Sequence, residues 1–259
     1  MEKLNIAISP CPNDTFIFGP WILGLVPDIK NRSSRFIFED IEDLNNLAGQ
    51  GEVDVVKVSA VQGLKLKDKY EILETGGAFG LTHGPKLVSL PGIKREEIRK
   101  IAIPGLLTTA YHLLRSAWPR EFIPMPMLFS DIPLALQLKI VDAGLLIHET
   151  ALIYAQKGFE LVLDLGRWWK EQSKGLPLPL GVILAKPELA RVVAEKIKES
   201  LDRAKESKEE IIPFIKTFAQ EMEEKTLEEH IQAYVNELSW DMGKKGQDAL
   251  NYLRKLVDA

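Results

Sequence analysis

Val141-Asp142-Ala143-Gly144-Leu145-Leu146-Ile147-His148-Glu149-Thr150 (VDAGLLIHET) is an apolar run that stops abruptly at an imidazole and a carboxylate. A short run that is apolar without alternation reads as a parallel strand covered on both faces. In open α/β sheets ligands sit outside the carboxyl ends of the strands, which puts His148 and Glu149 beside a ligand. Imidazole gives and takes protons near neutral pH, so His148 is the first candidate for chemistry. The competing reading is a histidine that only ends a strand.

The same arrangement occurs a second time. Glu52-Val53-Asp54-Val55-Val56-Lys57-Val58-Ser59 also has a Val-Asp entry, an apolar run and polar groups at its exit. Further upstream of each, Asn5 to Pro10 and Lys100 to Gly105 are short strands that break into loops ending in threonine, at Thr15 and at Thr108-Thr109. A helix-like segment follows each loop, and an amphipathic stretch precedes each Val-Asp strand. Two copies, rather than a short-period array, imply an α/β protein of two similar lobes with strand ends facing a shared central ligand cleft. The expected division is a larger, discontinuous lobe of residues 1–90 and 178–259, and a smaller lobe of residues 91–177.

Composition agrees with that plan. A chain of 259 residues, 46% hydrophobic and 27% charged, can bury two modest cores. Its formal net charge is -4 and its Lys and Arg are scattered, which argues against a nucleic-acid partner. No apolar run is long enough to span a bilayer, and the first residues carry no apolar signal core, so no stable membrane association and a cytoplasmic setting are expected. The single cysteine, Cys11, excludes an internal disulfide and a Cys-based zinc cluster.

Ser9-Pro10-Cys11-Pro12-Asn13-Asp14-Thr15-Phe16-Ile17-Phe18 is the most unusual stretch. Two prolines fix the turn, and Asn13, Asp14 and Thr15 are all helix N-cap residue types, so a helix should start here with its free amides toward the cleft. The plain alternative is capping and nothing more. In the Val53 to Val58 strand, Lys57 and Ser59 face one side and Val58 the other. A lysine inside an apolar strand needs an anion, which suggests a carboxylate ligand unless the side chain reaches water. Gly76-Gly77-Ala78-Phe79-Gly80 lacks the features of a phosphate loop and reads as tight backbone beside the cleft. Thr108 and Thr109 offer hydroxyls and amides to an oxygen-rich ligand, or simply cap. Ala151 to Lys157 reads as helix, Trp168-Trp169 as packing or an apolar wall, and His112 and His83 as structural and loop residues. The charged amphipathic segments Leu189 to Ser207, Glu209 to Ala219, Leu227 to Glu237 and Gln247 to Val257 read as helices closing over the first lobe.

Taken together, SPCPNDTF at 9–16, Lys57-Val58-Ser59, Thr108-Thr109-Ala110, Ile147-His148-Glu149 and Gly175-Leu176-Pro177-Leu178-Pro179-Leu180-Gly181 closely resemble the 1,4-dihydroxy-6-naphthoate synthases of the futalosine route to menaquinone. The likeness runs in order from Leu4 to about Asn236. It implies a fold like the type II periplasmic binding proteins, with the cleft between two mixed-sheet domains, used as a cytoplasmic enzyme without metal or organic cofactor. The implied reaction is a lyase step from cyclic dehypoxanthine futalosine to 1,4-dihydroxy-6-naphthoate, with loss of a three-carbon fragment. By resemblance, His148 matches the general base, and Lys57, Val58, Ser59, Thr109 and Ala110 fall on substrate-contacting segments. Asn13, Asp14 and Thr108 join them as candidates from the residue reading. Leu106 and Leu107 stand where more polar residues are expected. The partner implied is a small-molecule carboxylate; oligomeric state is left open. The alternatives are a chorismate dehydratase-like enzyme of the same pathway and a carboxylate-binding protein without catalysis.

Overall fold

The chain alternates short strands and helices twice before a helical tail, and a computed structural model describes residues 2–218 and 224–258 of it. The first lobe contains β1 (Glu2–Ile8), α1 (Pro12–Ile22), β2 (Arg32–Phe38), α2 (Ile41–Gln50), β3 (Val55–Ser59), α3 (Ala60–Lys65), β4 (Glu71–Ile72) and β5 (Ala78–Gly80). The second contains β6 (Lys86–Ser89), β7 (Lys100–Ile103), α4 (Thr109–Ala117), β8 (Ile123–Pro126), α5 (Ile132–Gln137), β9 (Ala143–Leu146), β10 (Glu160–Asp164) and α6 (Leu165–Gln172). The chain returns to the first sheet through β11 (Leu178–Ala185) and continues as α7 (Ala190–Glu206), α8 (Lys208–Lys216), α9 (Glu224–Tyr234), α10 (Glu237–Trp240) and α11 (Gly243–Val257).

Both sheets are mixed. The first has the order β2-β1-β3-β11-β4, with β5 also paired to β11, and the second has the order β10-β6-β9-β7-β8. Within them, β1 runs parallel to β2 and β3, whereas β11 is antiparallel to β3 with Gly181 opposite Ser59 and Ile183 opposite Lys57. The apolar run before His148 becomes β9, buried throughout, parallel to β7 and antiparallel to β6.

Strand alternation sorts the cores. Leu4, Ile6 and Ile8 of β1 and Val55 of β3 face α1 and α7, while Ala7, Val56 and Val58 face the opposite side. That opposite core also takes in Leu87, Ile101, Ile103 and Leu145 of the second lobe, so the two lobes share apolar packing at their base. A smaller cluster around Ala102, Ile132, Leu136 and Leu146 backs the second sheet.

Two expectations change. Lys86–Ser89, placed in the first lobe by a boundary at residue 90, pairs with β9 and β10, so the chain crosses between the sheets at 81–85. The segment 151–157 is not an α-helix: a 3-10 turn, Glu149–Ala151, leads into a series of turns that ends at Gly158. Gly166 to Trp169 is helical because Asp164 caps α6, accepting from the Arg167 amide at 3.0 Å. Trp169 packs in the core and donates to the Leu176 carbonyl at 2.9 Å, so the tryptophan pair packs rather than walls a site. The helix expected at 209–219 is observed as α8, and Ala219 lies outside the described residues. Among the described residues no helix is long and apolar enough to cross a membrane, and no cluster of three or more His, Cys, Asp or Glu could hold a metal ion.

Candidate active site

Pro12 occupies the first turn of α1, where its missing amide hydrogen costs nothing, and Cys11 is the N-cap, its side chain capping no backbone amide. Asn13 and Asp14 therefore do not cap. They sit within the first turn, buried, with Asp14 directed at Lys57 of β3. Lys57 Nζ lies 2.8 Å from Asp14 Oδ1 and donates to the Gly76 carbonyl at 3.0 Å, with both members of the ion pair at most 3% exposed. Ser9 Oγ donates to Asp14 Oδ2 at 2.7 Å, and Asn13 Nδ2 donates to Asp14 Oδ1 at 2.8 Å. The anion that an interior lysine needs is thus supplied by the chain itself. Gly76, from the glycine-rich run, contributes the second acceptor. Cys11 donates its thiol to Asn13 Oδ1 at 3.0 Å, and burial pushes that thiol well above its ordinary pKa, which removes it as a nucleophile.

From the second lobe, His148 enters the same cavity directly after β9. Its backbone has φ 55° and ψ −151°, a region that glycine adopts freely and other residues rarely do. Holding a histidine there costs about 1–3 kcal/mol, which the packing around it must offset. The ring packs edge-on against Phe129, centroids 4.7 Å apart. Burial lowers its pKa to about 4; the nearby Asp14 opposes that shift and Lys57 adds to it. Because Asp14 and Lys57 neutralise one another, burial prevails and the imidazole is uncharged at neutral pH.

The remaining candidates divide. Ser59 lines the cavity, accepts from Asn45 Nδ2 at 3.1 Å and donates its amide to Asn45 Oδ1 at 2.9 Å, which leaves its own hydroxyl proton for a ligand. Thr108 caps α4, accepting from the Tyr111 amide at 3.2 Å and donating to the Gly105 carbonyl at 2.8 Å. Thr109 reaches across the lobes: it donates to the Leu180 carbonyl at 3.0 Å and accepts from the Val61 amide at 3.2 Å. Both threonine hydroxyls are therefore engaged within the protein. What this loop offers a ligand is the backbone amides at the start of α4, from Thr109 and Ala110, which have no partner within their own helix. Val58 is not on the cavity wall; its side chain is in the shared core, as strand alternation requires.

A second tie joins the lobes beside these threonines. Both carboxylate oxygens of Glu42, in the first turn of α2, accept from the Leu107 amide, at 3.0 and 3.2 Å. Gly105, at φ 152°, makes room for it: a Cβ there would lie 2.3 Å from Glu42 Cδ. The apolar side chains of Leu106 and Leu107 are immaterial to this contact, because the loop uses its backbone.

Among the wall residues that sequence reasoning missed are a histidine and a tyrosine. His230 and Tyr234, one turn apart on α9, both line the cavity, 1% and 5% exposed. His230 Nε2 is 3.1 Å from Asn13 Oδ1, and its ring centroid is 6.2 Å from that of His148. Burial holds His230 well below its ordinary pKa, with His148 adding to the effect, and raises that of the Tyr234 phenol. The signal available was a histidine and a tyrosine four apart on the apolar face of an otherwise charged helix. Tyr234 is 4.9 Å from His230, ring to ring.

A family model described as menaquinone biosynthesis matches residues 4–259. A 1,4-dihydroxy-6-naphthoate synthase of Thermus thermophilus is 37% identical over 255 residues, covering 96% of this chain and 92% of that protein. A crystal structure of a protein from Archaeoglobus fulgidus superposes with a TM-score of 0.91 at 34% identity, covering 99% and 97% of the two chains. A Candida albicans protein described as having the generic periplasmic binding protein fold superposes with a TM-score of 0.70 at 12% identity, over 99% and 94%, a likeness of fold alone.

Proposed function

The chain belongs to the menaquinone-biosynthesis family, and from that membership we propose that it is a 1,4-dihydroxy-6-naphthoate synthase, a lyase acting on cyclic dehypoxanthine futalosine with His148 as general base. The observation that carries this reading is His148 itself: an uncharged imidazole at the cavity wall, held in a strained backbone conformation facing polar groups of the first lobe. Strain of this kind is retained where the surroundings over-determine it, and such positions cluster at functional sites. Breaking a carbon–carbon bond next to an oxygenated ring requires a proton to be removed and the departing fragment to be stabilised. His148 removes the proton, and an anionic substrate raises its pKa from about 4 toward the working pH. Ser59 donates to a substrate oxygen, and the amides that open α4 take the substrate carboxylate. Lys57 acts through Asp14, holding the first-lobe loop in place rather than meeting the substrate alone. Aromatisation of the product supplies much of the driving force. The reaction places the protein among cytoplasmic biosynthetic enzymes that work without metal or organic cofactor.

The purified protein is mixed separately with cyclic dehypoxanthine futalosine and with chorismate, and products are followed by mass spectrometry. We expect 1,4-dihydroxy-6-naphthoate from the first and nothing from the second. Dehydrated chorismate would point to the sister activity, and ligand retained unchanged to a binding protein. H148A should abolish turnover while substrate still binds; retained turnover removes His148 from the base role.

A further inference from the structure

His230 comes from a helix remote in sequence from both strand-end loops, yet its hydrogen bonding is dictated by the first of them. The Asp14 carboxylate, held by Lys57 and Ser9, can only accept, so the Asn13 amide must turn its Nδ2 toward it. Asn13 Oδ1 then faces His230 Nε2 at 3.1 Å, and an oxygen acceptor there requires that Nε2 carry the proton. In an uncharged imidazole this leaves Nδ1 as a bare acceptor. That atom is fully buried and has no hydrogen-bond partner among the described residues. A buried acceptor left unmet is destabilising, and such orphans are uncommon in folded proteins. His230 lies in the cavity wall with its ring 6.2 Å from that of His148, beyond a direct hydrogen bond and near enough for one ligand group to touch both. Its helix also packs against α1, β5 and the turn that follows His148, so the ring is positioned by both lobes.

We propose that His230 is a second substrate-contacting histidine, whose unprotonated Nδ1 accepts a hydrogen bond from a hydroxyl of the substrate bound against His148. The inference rests on the cavity being the reaction site. Asn13 is then a positioning residue, setting the His230 tautomer without touching the substrate, and the Lys57–Asp14 pair sets the orientation of Asn13. The ligand class this selects is a hydroxylated anionic ring: a hydroxyl for Nδ1, a carboxylate for the amides of α4.

Two variants separate this role from a structural one. In H230Q the side-chain amide can still donate to Asn13 but offers nothing at the Nδ1 position; in H230N an oxygen replaces Nδ1 and the Asn13 contact is lost. We expect H230Q to melt near the wild-type temperature and to lose roughly 10- to 100-fold in kcat/KM on cyclic dehypoxanthine futalosine, with H230N the more active of the two. The reverse order, with H230N the damaged protein, or H230Q as active as wild type, overturns the proposal. Should either variant fail to fold, 15N-histidine NMR of the wild-type protein decides. A protonated Nε2 and bare Nδ1 whose resonance moves on adding 1,4-dihydroxy-6-naphthoate supports it; a protonated Nδ1, or no movement, overturns it. Wild-type protein that makes no product sinks the assigned reaction and this inference with it, whereas an active wild type matched by H230Q sinks only this one.

Discussion

The two strand-to-helix loops are alike in sequence and opposite in use. Each leaves a short strand, passes through proline and reaches threonine at a helix start, at Ser9 to Thr15 and at Pro104 to Thr109. The first binds its polar groups within its own lobe, through Ser9, Asn13, Asp14 and Lys57. The second turns outward: the Leu107 amide goes to Glu42 and the Thr109 hydroxyl to Leu180 and Val61, all in the other lobe. One loop is a rigid platform and the other a clasp. A local motif fixes where polar groups emerge, and the partners within reach decide what they do.

The largest way to break this contrast is to strand a charge in the platform. Lys57→Met leaves Asp14 buried without its cation and should cost about 3–5 kcal/mol in urea unfolding, while the double variant Lys57→Met/Asp14→Asn should recover much of it. Equal losses in the single and double variants would mean that the pair does not anchor the loop.

Acid tests the clasp side next. Unfolded, His148 takes a proton near its ordinary value of 6.5; folded, only near 4, and His112 behaves likewise because burial, Lys65 and Arg115 all lower it to about 4. Between these values the unfolded chain binds more protons, so stability is full above about pH 7 and falls as pH drops from 6.5 toward 4. His148→Gln should flatten that slope in thermal melts across this window.

Glu42→Gln should loosen the clasp without harming the platform. The Leu107 amide loses a charged acceptor, and KM should rise about tenfold while the melting temperature changes little. Small-angle scattering of the unliganded variant should show a more open molecule. An unchanged KM and radius would remove the clasp from lobe closure.

The smallest effect isolates the backbone at His148. Both His148→Ala and His148→Gly remove the ring, but only glycine relaxes at φ 55°. The Gly variant should be the more stable by about 1 kcal/mol in denaturant titration. No difference would mean that the position is not strained.

Much of this was legible beforehand. The two-lobed plan followed from a repeated pattern of strand, loop and helix, and His148 from an apolar run ending in a polar group. Lys57 was read as a lysine in need of an anion and expected to meet a carboxylate ligand; that Asp14 supplies the anion was not foreseen. The threonines were legible as helix starts; that Thr109 crosses between lobes was not, because its partners are 71 and 48 residues away. The expected lobe boundary at residue 90 left Lys86–Ser89 on the first-lobe side, whereas the strand pairs in the second sheet, because strand pairing is not written in a strand's own residues.

Local physics belongs to the sequence. Periodicity, proline and glycine placed most of the strands and helices, since each depends on neighbours a few residues away. Tertiary structure alone decided who meets whom inside the cavity. His230 and Asn13 are separated by 217 residues, and the bond between them depends on where α9 packs, a balance of burial across the molecule that no local pattern encodes.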